Sequence, residues 1–293
     1  MHMKISAQRK AYVVFNYVFC ILVGLMCLLP VWHVLATSLS SKAAIMGGRV
    51  SLWPVEFTFD NYEYVMKDAQ FFSAFWISVK RTALALLVQM LMTVLAAYPL
   101  SISRYRFGAR QFYAWLYLFT MIFGGGMIPT YIVVHATGLI DSIWALILPG
   151  AVPVFNVVLL QNYMKTLPEG LSESAALDGA NHWRILFQII LPLCAPSLAT
   201  LCLFVAVGNW NAWFDGMLYI NNNANFPLQT YLRTLIVEVN MDQLSDAEDL
   251  ANLVATTGAD TAKIFIAMVP ILCVYPFVQK YFVKGIVRGS VKE

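Results

Sequence analysis

The residues best placed to do chemistry in this chain fall in a few short stretches, and the richest is 167–192. It reads Leu-Pro-Glu-Gly-Leu-Ser-Glu-Ser-Ala-Ala-Leu-Asp-Gly-Ala-Asn-His-Trp-Arg-Ile-Leu-Phe-Gln-Ile-Ile-Leu-Pro. Pro168 and Glu169 suit a first helical turn, where proline needs no donor and a carboxylate meets the positive end of the helix dipole. Ser174, Ala175 and Ala176 make a small-residue surface that another backbone can approach closely. Gly179 suits a left-handed C-cap, and Asn181 can cap the helix that follows. Glu173 and Asp178 are acidic handles for basic partner residues. The chemistry of two short helices around such a turn is docking. A merely solvated connector would not explain why Trp183, Ile185, Leu186 and Phe187 follow so closely.

A second stretch carries Asn209, Trp210, Asn211, Trp213 and Asp215. A sugar ring presents apolar C–H faces and equatorial hydroxyls, so aromatic faces beside planar hydrogen-bonding groups suit it. An interfacial aromatic belt uses the same residue types, and both readings stand. Lys80 and Arg81 could attract an acidic group or simply snorkel at a helix end. Asn221, Asn222, Asn223, Ala224 and Asn225 form a compact polar tip prone to turns.

Other chemistry is poorly supported. His2, His33, His135 and His182 are scattered, and no acid, base, nucleophile and metal-ligand set converges on them. Cys20, Cys27, Cys194, Cys202 and Cys273 lie inside apolar runs, which suits small buried hydrophobes. Asp246, Glu248 and Asp249 read as a solvated or contact surface, so no metal site is expected. The G-x-x-x-x-G-K-[ST] phosphate loop is absent, so any ATP-driven step needs another chain.

The elements that position these stretches follow from composition. Of 293 residues, 60% are hydrophobic, 14% aromatic and 12% charged, with a net charge of +3. Soluble domains are roughly 25% charged, and a mean hydropathy of +0.68 exceeds what a compact soluble fold could bury. Disorder, coiled coil, collagen and disulfide scaffolds are excluded, and the small net charge gives no sign of nucleic acid. A membrane helix needs about 20 mostly apolar residues. Six such spans read as 13–37, 82–103, 112–135, 141–164, 187–210 and 261–283. The first exceeds the apolar core of a signal peptide and reads as a retained anchor. Gly124-Gly125-Gly126 with Pro129 predicts an irregular third span, as hinge or close crossing.

Charge sorts the segments. Residues 1–12, 104–111, 165–186 and 284–293 carry 11 Lys/Arg against 4 Asp/Glu; 38–81, 136–140 and 211–260 carry 6 against 11. The positive-inside rule puts the first set, with both termini, in the cytoplasm. The expected chain is a 1–12 tail, a single 13–283 membrane domain and a 284–293 tail. Loop 165–186 faces the cytoplasm, and 38–81 and 211–260 face outward. Charge-free span centres count against an ion-coupled carrier. The missing catalytic cluster counts against a membrane enzyme.

Residues 173–180, Glu-Ser-Ala-Ala-Leu-Asp-Gly-Ala, followed by Phe187, Ile189 or Ile190, Leu191 and Pro192, closely resemble the EAA motif of ABC importer permeases. Ser174 stands where that family usually has Ala, a small change for small-residue docking. Pro129-Thr-Tyr131, Gly138-Leu139, Asp141, Ala145-Leu-Ile-Leu-Pro149, Gly208-Asn-Trp-Asn211 and Leu228-Gln-Thr-Tyr-Leu232 resemble carbohydrate-uptake members, including permeases for oligosaccharides and alginate. The resemblance implies an all-α, six-helix, type I ABC importer permease fold in a bacterial inner membrane. It implies a second permease subunit, two ATPase subunits that hold ATP and Mg, and an extracytoplasmic solute-binding protein. Glu173, Ser174, Ala175, Ala176, Asp178, Gly179 and Ala180 are then the ATPase-coupling residues. Asn209, Trp210, Asn211, Trp213, Lys80 and Arg81 are candidates for the sugar path, and 221–225 for a loop reaching the binding protein. Permeases for amino acids or peptides share the cytoplasmic motif, so a non-sugar solute is the alternative.

Overall fold

The structure is a computed structural model that describes residues 7–103, 107–237 and 257–274. Among the described residues all regular structure is helical. They divide into two compact units, one from residues 7–71, 234–237 and 257–269, the other from 72–103, 107–233 and 270–274.

In the first unit, α1 (Ala7–Ser38) leads to α2 (Lys42–Met46) and α3 (Asp60–Lys67). Most apolar side chains of α1 are exposed, as a lipid-facing helix requires. Its C-terminal carbonyls would be orphaned, and Asn61 Nδ2 helps to seal that end by donating to Ser38 O and Ser40 O at 3.0 Å each. The last described helix, α14 (Thr257–Val274), begins here. Gly258 leaves room for Asn61, whose Oδ1 would sit 2.5 Å from a β-carbon. Lys263, 5% exposed, is held 2.8 Å from Asp68 and 3.7 Å from Asp260.

In the second unit, α4 (Ala69–Ser101) is followed by α5 (Arg110–Ile122), α6 (Met127–Ala136), α7 (Val154–Met164) and α8 (Glu169–Leu177). Then come α9 (His182–Arg184), a π-helical turn (Ile185–Ile190), α10 (Leu191–Leu193), α11 (Ala195–Asn211), α12 (Phe214–Tyr219) and α13 (Leu228–Val237). The core joins Val94, Ala97 and Leu100 of α4 to Val157, Leu160 and Met164 of α7. Ile185, Leu186, Ile190, Cys194 and Leu201 complete it. Gln161 Nε2 donates to Leu100 O at 3.1 Å, satisfying a terminal carbonyl of α4.

Among the described residues three single helices, α1, α4 and α14, are long and apolar enough to span a membrane. The other three predicted spans are bent pairs, giving up to six if each pair is one span. Residues 112–135 form α5 and α6 at 111°, broken where Gly126 takes φ +85, a conformation only glycine adopts freely. Span 141–164 is a 3₁₀ stretch, Ile143–Gly150, at 48° to α7 across Pro153. Span 187–210 begins earlier, at His182, and bends 83° at Cys194 between Pro192 and Pro196, whose missing donors interrupt the ladder.

The second span also differs: α4 starts 13 residues before 82, inside the expected outer loop. Phe71, Ala74, Ser78, Arg81, Ala85, Gln89, Thr93, Ala97 and Leu100 are all buried, a 3–4 spacing that marks one continuous helical face. Hydropathy stops at Lys80-Arg81, whereas the buried face does not. Residues 275–283 of the sixth span, both tail ends, and Asp246, Glu248 and Asp249 lie outside the described residues.

Candidate functional site

Helix α8 and the turn after it make a knob closed by its own backbone. Gly179 N donates to Ala176 O at 3.1 Å and Ala180 N to Ala175 O at 2.9 Å, the 5→2 and 6→1 pair of a Schellman cap. That cap needs φ near +80, and Gly179 has φ +81. Asn181 Oδ1 then accepts from Arg184 N at 2.9 Å, starting α9. The knob is therefore fixed by two adjacent caps.

Its two faces differ. Ala175 and Ala180 are half-buried and pack on the core cluster. Glu173, Ser174, Ala176, Asp178 and Gly179 are exposed. Leu177, absent from the residues expected for docking, is 89% exposed at the crest. An apolar side chain held in water by a capped turn has the chemistry of a contact residue. Its signal was in the motif itself: a large apolar residue between Ala176 and Asp178. Trp183 and Phe187 stack at 6.1 Å beside the knob, both exposed.

The solute-facing candidates are not gathered into one site. Arg81 is 2% exposed and donates bidentately to Asp215, with Nη1 also reaching Ala212 O at 3.3 Å. Its charge joins α4 to the start of α12, while Lys80 is exposed. Trp210 is buried against Phe75, ring centroids 5.7 Å apart. Asn209 Nδ2 donates to Val205 O at 2.9 Å and lies 3.5 Å from Gln89 Oε1. Asn211 and Trp213 remain at the surface, and the Arg233 guanidinium lies 5.2 Å over the Trp213 ring.

The 221–225 tip is exposed and is held by Asp141, which entered the sequence reading only through the family resemblance and with no role assigned. Its carboxylate accepts from Asn221 N, Asn222 N and Asn221 Nδ2, while Asp141 N donates to Tyr219 O. Asp141 has φ +61, a conformation that aspartate tolerates better than most residues. Eighty positions separate the partners, so no local pattern announces them.

Residues 71–288 match the family described as "Binding-protein-dependent transport system inner membrane component". The chain is 39% identical over 288 residues to the polygalacturonan/rhamnogalacturonan transport system permease protein YtcP of Bacillus subtilis (strain 168), covering 97% of this chain and 99% of that one. It is equally identical to protein LplC of the same organism over 284 residues, covering 97% and 95%. Among solved structures it is similar to a bacterial ABC transporter involved in the import of the acidic polysaccharide alginate. There the TM-score is 0.86 at 31% identity, covering 96% of this chain and all of that one. With three apolar helices and three bent pairs among the described residues, the chain belongs to the binding-protein-dependent transport system inner membrane components, the permeases of ABC importers.

Proposed function

We propose that this chain is one of two related permease subunits of an ATP-driven importer for an oligosaccharide, acidic in character, in a bacterial cytoplasmic membrane. The observation that carries the reading is the α8 knob: rigidly capped, exposed along Glu173, Ser174, Ala176, Leu177, Asp178 and Gly179, and rooted in the core through Ala175 and Ala180. Charge sorting puts the knob and both termini in the cytoplasm. Each bent pair counts as one span, so six spans form a single membrane domain.

ATP and Mg belong to two partner ATPase subunits, which grip the knob; this chain is a non-catalytic lever. ATPase closure displaces α8, and the core on which it packs passes that motion to α4, α7 and the fifth span. Coupling then rests on a contact that differs between the two states. On the outer side, Asn209, Asn211 and Trp213 line the sugar's route, with the buried Trp210 and Arg81 backing it and the exposed Lys80 attracting it, and 221–225 meets a solute-binding protein. The acidic substrate class is drawn from the relatives that handle polygalacturonan, rhamnogalacturonan and alginate.

The test is to express the chain with its candidate partners, purify through a tag on it, and reconstitute in liposomes. The expected result is copurification of an ATPase and a second permease, with ATPase activity raised by a binding protein loaded with oligogalacturonate. A chain that purifies alone and catalyses ion-dependent uptake would overturn the reading.

A further inference from the structure

We propose that the base of the α8 knob is a binding site for an anionic phospholipid. Two cavities meet there. One, of about 430 Å³, is walled by mixed polar and apolar side chains and carries two cations, with Ser101, Ser103, Arg110, Lys165 and Glu169 beside Met164 and Leu167. The other, of about 360 Å³, is walled mainly by Leu95, Pro99, Phe107, Trp183 and Leu186. Tyr98, Ile102 and His182 line both, and Tyr98 Oη lies 3.2 Å from His182 Nδ1. A cationic chamber and an apolar groove thus share one wall.

The chamber has an electrostatic deficit. Arg110 opens α5 and Lys165 caps α7, so they arrive from different elements. The Lys165 ammonium is held below its ordinary proton affinity, first by burial and then by the charge of Arg110. Neither forms an ion pair among the described residues, and Glu169, in the same wall, bridges to neither. Arg110 also sits at the positive end of its helix, the unfavourable end for a cation. Two like charges in one chamber repel, and a bound anion relieves both.

The surroundings select a lipid over a free phosphate. α4 ends at Ser101, α5 begins at Arg110 and α7 ends at Met164, so three candidate spans terminate around the chamber, which the proposed topology puts at headgroup depth. Leu95 lies six residues before Ser101 on α4, roughly 9 Å deeper at 1.5 Å per residue. The groove therefore runs from the cations toward the bilayer interior, the path of an acyl chain. Basic pockets between helices on the cytoplasmic side are suited to anionic headgroups. Glu169, Ser172 and Ala176 of α8 complete the chamber, so the lipid would brace the knob against the spans. This inference rests on the proposed topology but not on the sugar or ATPase assignments.

The experiment reads lipid directly on this chain. The detergent-purified protein, with whatever partners accompany it, is incubated with phosphatidylglycerol or phosphatidylcholine, and retained lipid is counted by native mass spectrometry. Wild type and Lys165→Arg are expected to retain one phosphatidylglycerol and no phosphatidylcholine. The Arg110→Gln/Lys165→Gln double variant is expected to lose it roughly thirty-fold, the effect of two interfacial cations, while Arg184→Gln, which engages Gln188, matches wild type. Equal retention by the double variant overturns the site. Displacement by millimolar inorganic phosphate would reassign it to a free anion, and loss of a copurifying ATPase with lipid retained would reassign the cations to that interface. Either outcome overturns the lipid proposal. Unchanged thermal unfolding of the double variant separates these results from misfolding.

Discussion

Gly179 separates two reasons why a docking turn could fail. Its φ of +81 strains any residue with a β-carbon, yet a β-carbon there would meet nothing within 4 Å in this chain. Gly179→Ala therefore costs only the left-handed penalty, about 1–2 kcal/mol, a roughly five- to thirty-fold shift away from the capped turn. Asn and Asp carry less of that penalty, because their short polar side chains visit this region more readily. If strain alone governs coupling, transport falls in the order Gly, then Asn and Asp, then Ala. If the exposed turn is buried against an ATPase, bulk and charge count instead, and Gly179→Asp and Gly179→Asn fall at least as far as Gly179→Ala. We expect the second order, with Gly179→Asp abolishing transport while the protein stays in the membrane. The assay is binding-protein-dependent uptake and ATPase activity in proteoliposomes, normalised to permease content. Wild-type transport and ATPase activity in Gly179→Asp, or a benign Asn beside a damaging Ala, would refute the docking argument.

Three further outcomes follow from the geometry. A β-carbon at Gly216 would overlap the Thr230 hydroxyl and lie 3.0 Å from Thr230 Cβ and 3.2 Å from Pro227 Cδ. Gly216→Ala should cost about 1–3 kcal/mol, read as a lowered Tm, with a double-mutant cycle against Thr230→Ala showing coupling. Asp215→Ala strands the buried Arg81 guanidinium and should cost about 3 kcal/mol, the low end for a broken buried pair because Asp215 is 27% exposed; Arg81→Met with Asp215→Leu should recover most of it by thermal unfolding. Asp141→Ala and Asp141→Gly both remove three hydrogen bonds to the 221–225 tip, but only the second relieves φ +61. A spin label at Asn223 should become mobile in both; an immobile label in Asp141→Gly would assign the tip's order to other contacts.

What was legible in the sequence was local. Gly179 and Asn181 are caps whose chemistry is written within a few residues, and the knob they make is the one their types predict. The break at Gly124-Gly125-Gly126 is legible for the same reason, since only glycine takes the φ of Gly126. Long-range pairing was not legible. Arg81 looks like the end of an apolar run because its partner Asp215 is 134 positions away, and that partner lets α4 carry a charge through its interior. Trp210 has the right type for a sugar platform, but Phe75 covers it. Pro192 and Pro196 were visible as interruptions, whereas the 83° bend between them depends on how the broken halves pack.

That bend joins the two ends of the proposed mechanism. Ile185, Leu186 and Ile190, on the knob side of Cys194, share the core on which Ala175 and Ala180 rest; Asn209 and Asn211 lie on the far side, along α11. Pro192 and Pro196 remove two donors at the junction, and Cys194 N divides its bond between Ile190 O at 3.0 Å and Leu191 O at 3.1 Å. Backbone with fewer ladder bonds is the compliant part of a helix, whereas the packed segments on either side resist deformation. A displacement at the knob is therefore absorbed at Cys194 unless α4, which packs along the same core through Val94, Ala97 and Leu100, carries it past the break. Gln89, on that helix, lies 3.5 Å from Asn209. In the proposed mechanism the continuous helix α4 would be the stiff route from the knob to Asn209, and the broken fifth span would let the half beyond Cys194 change angle as the knob moves.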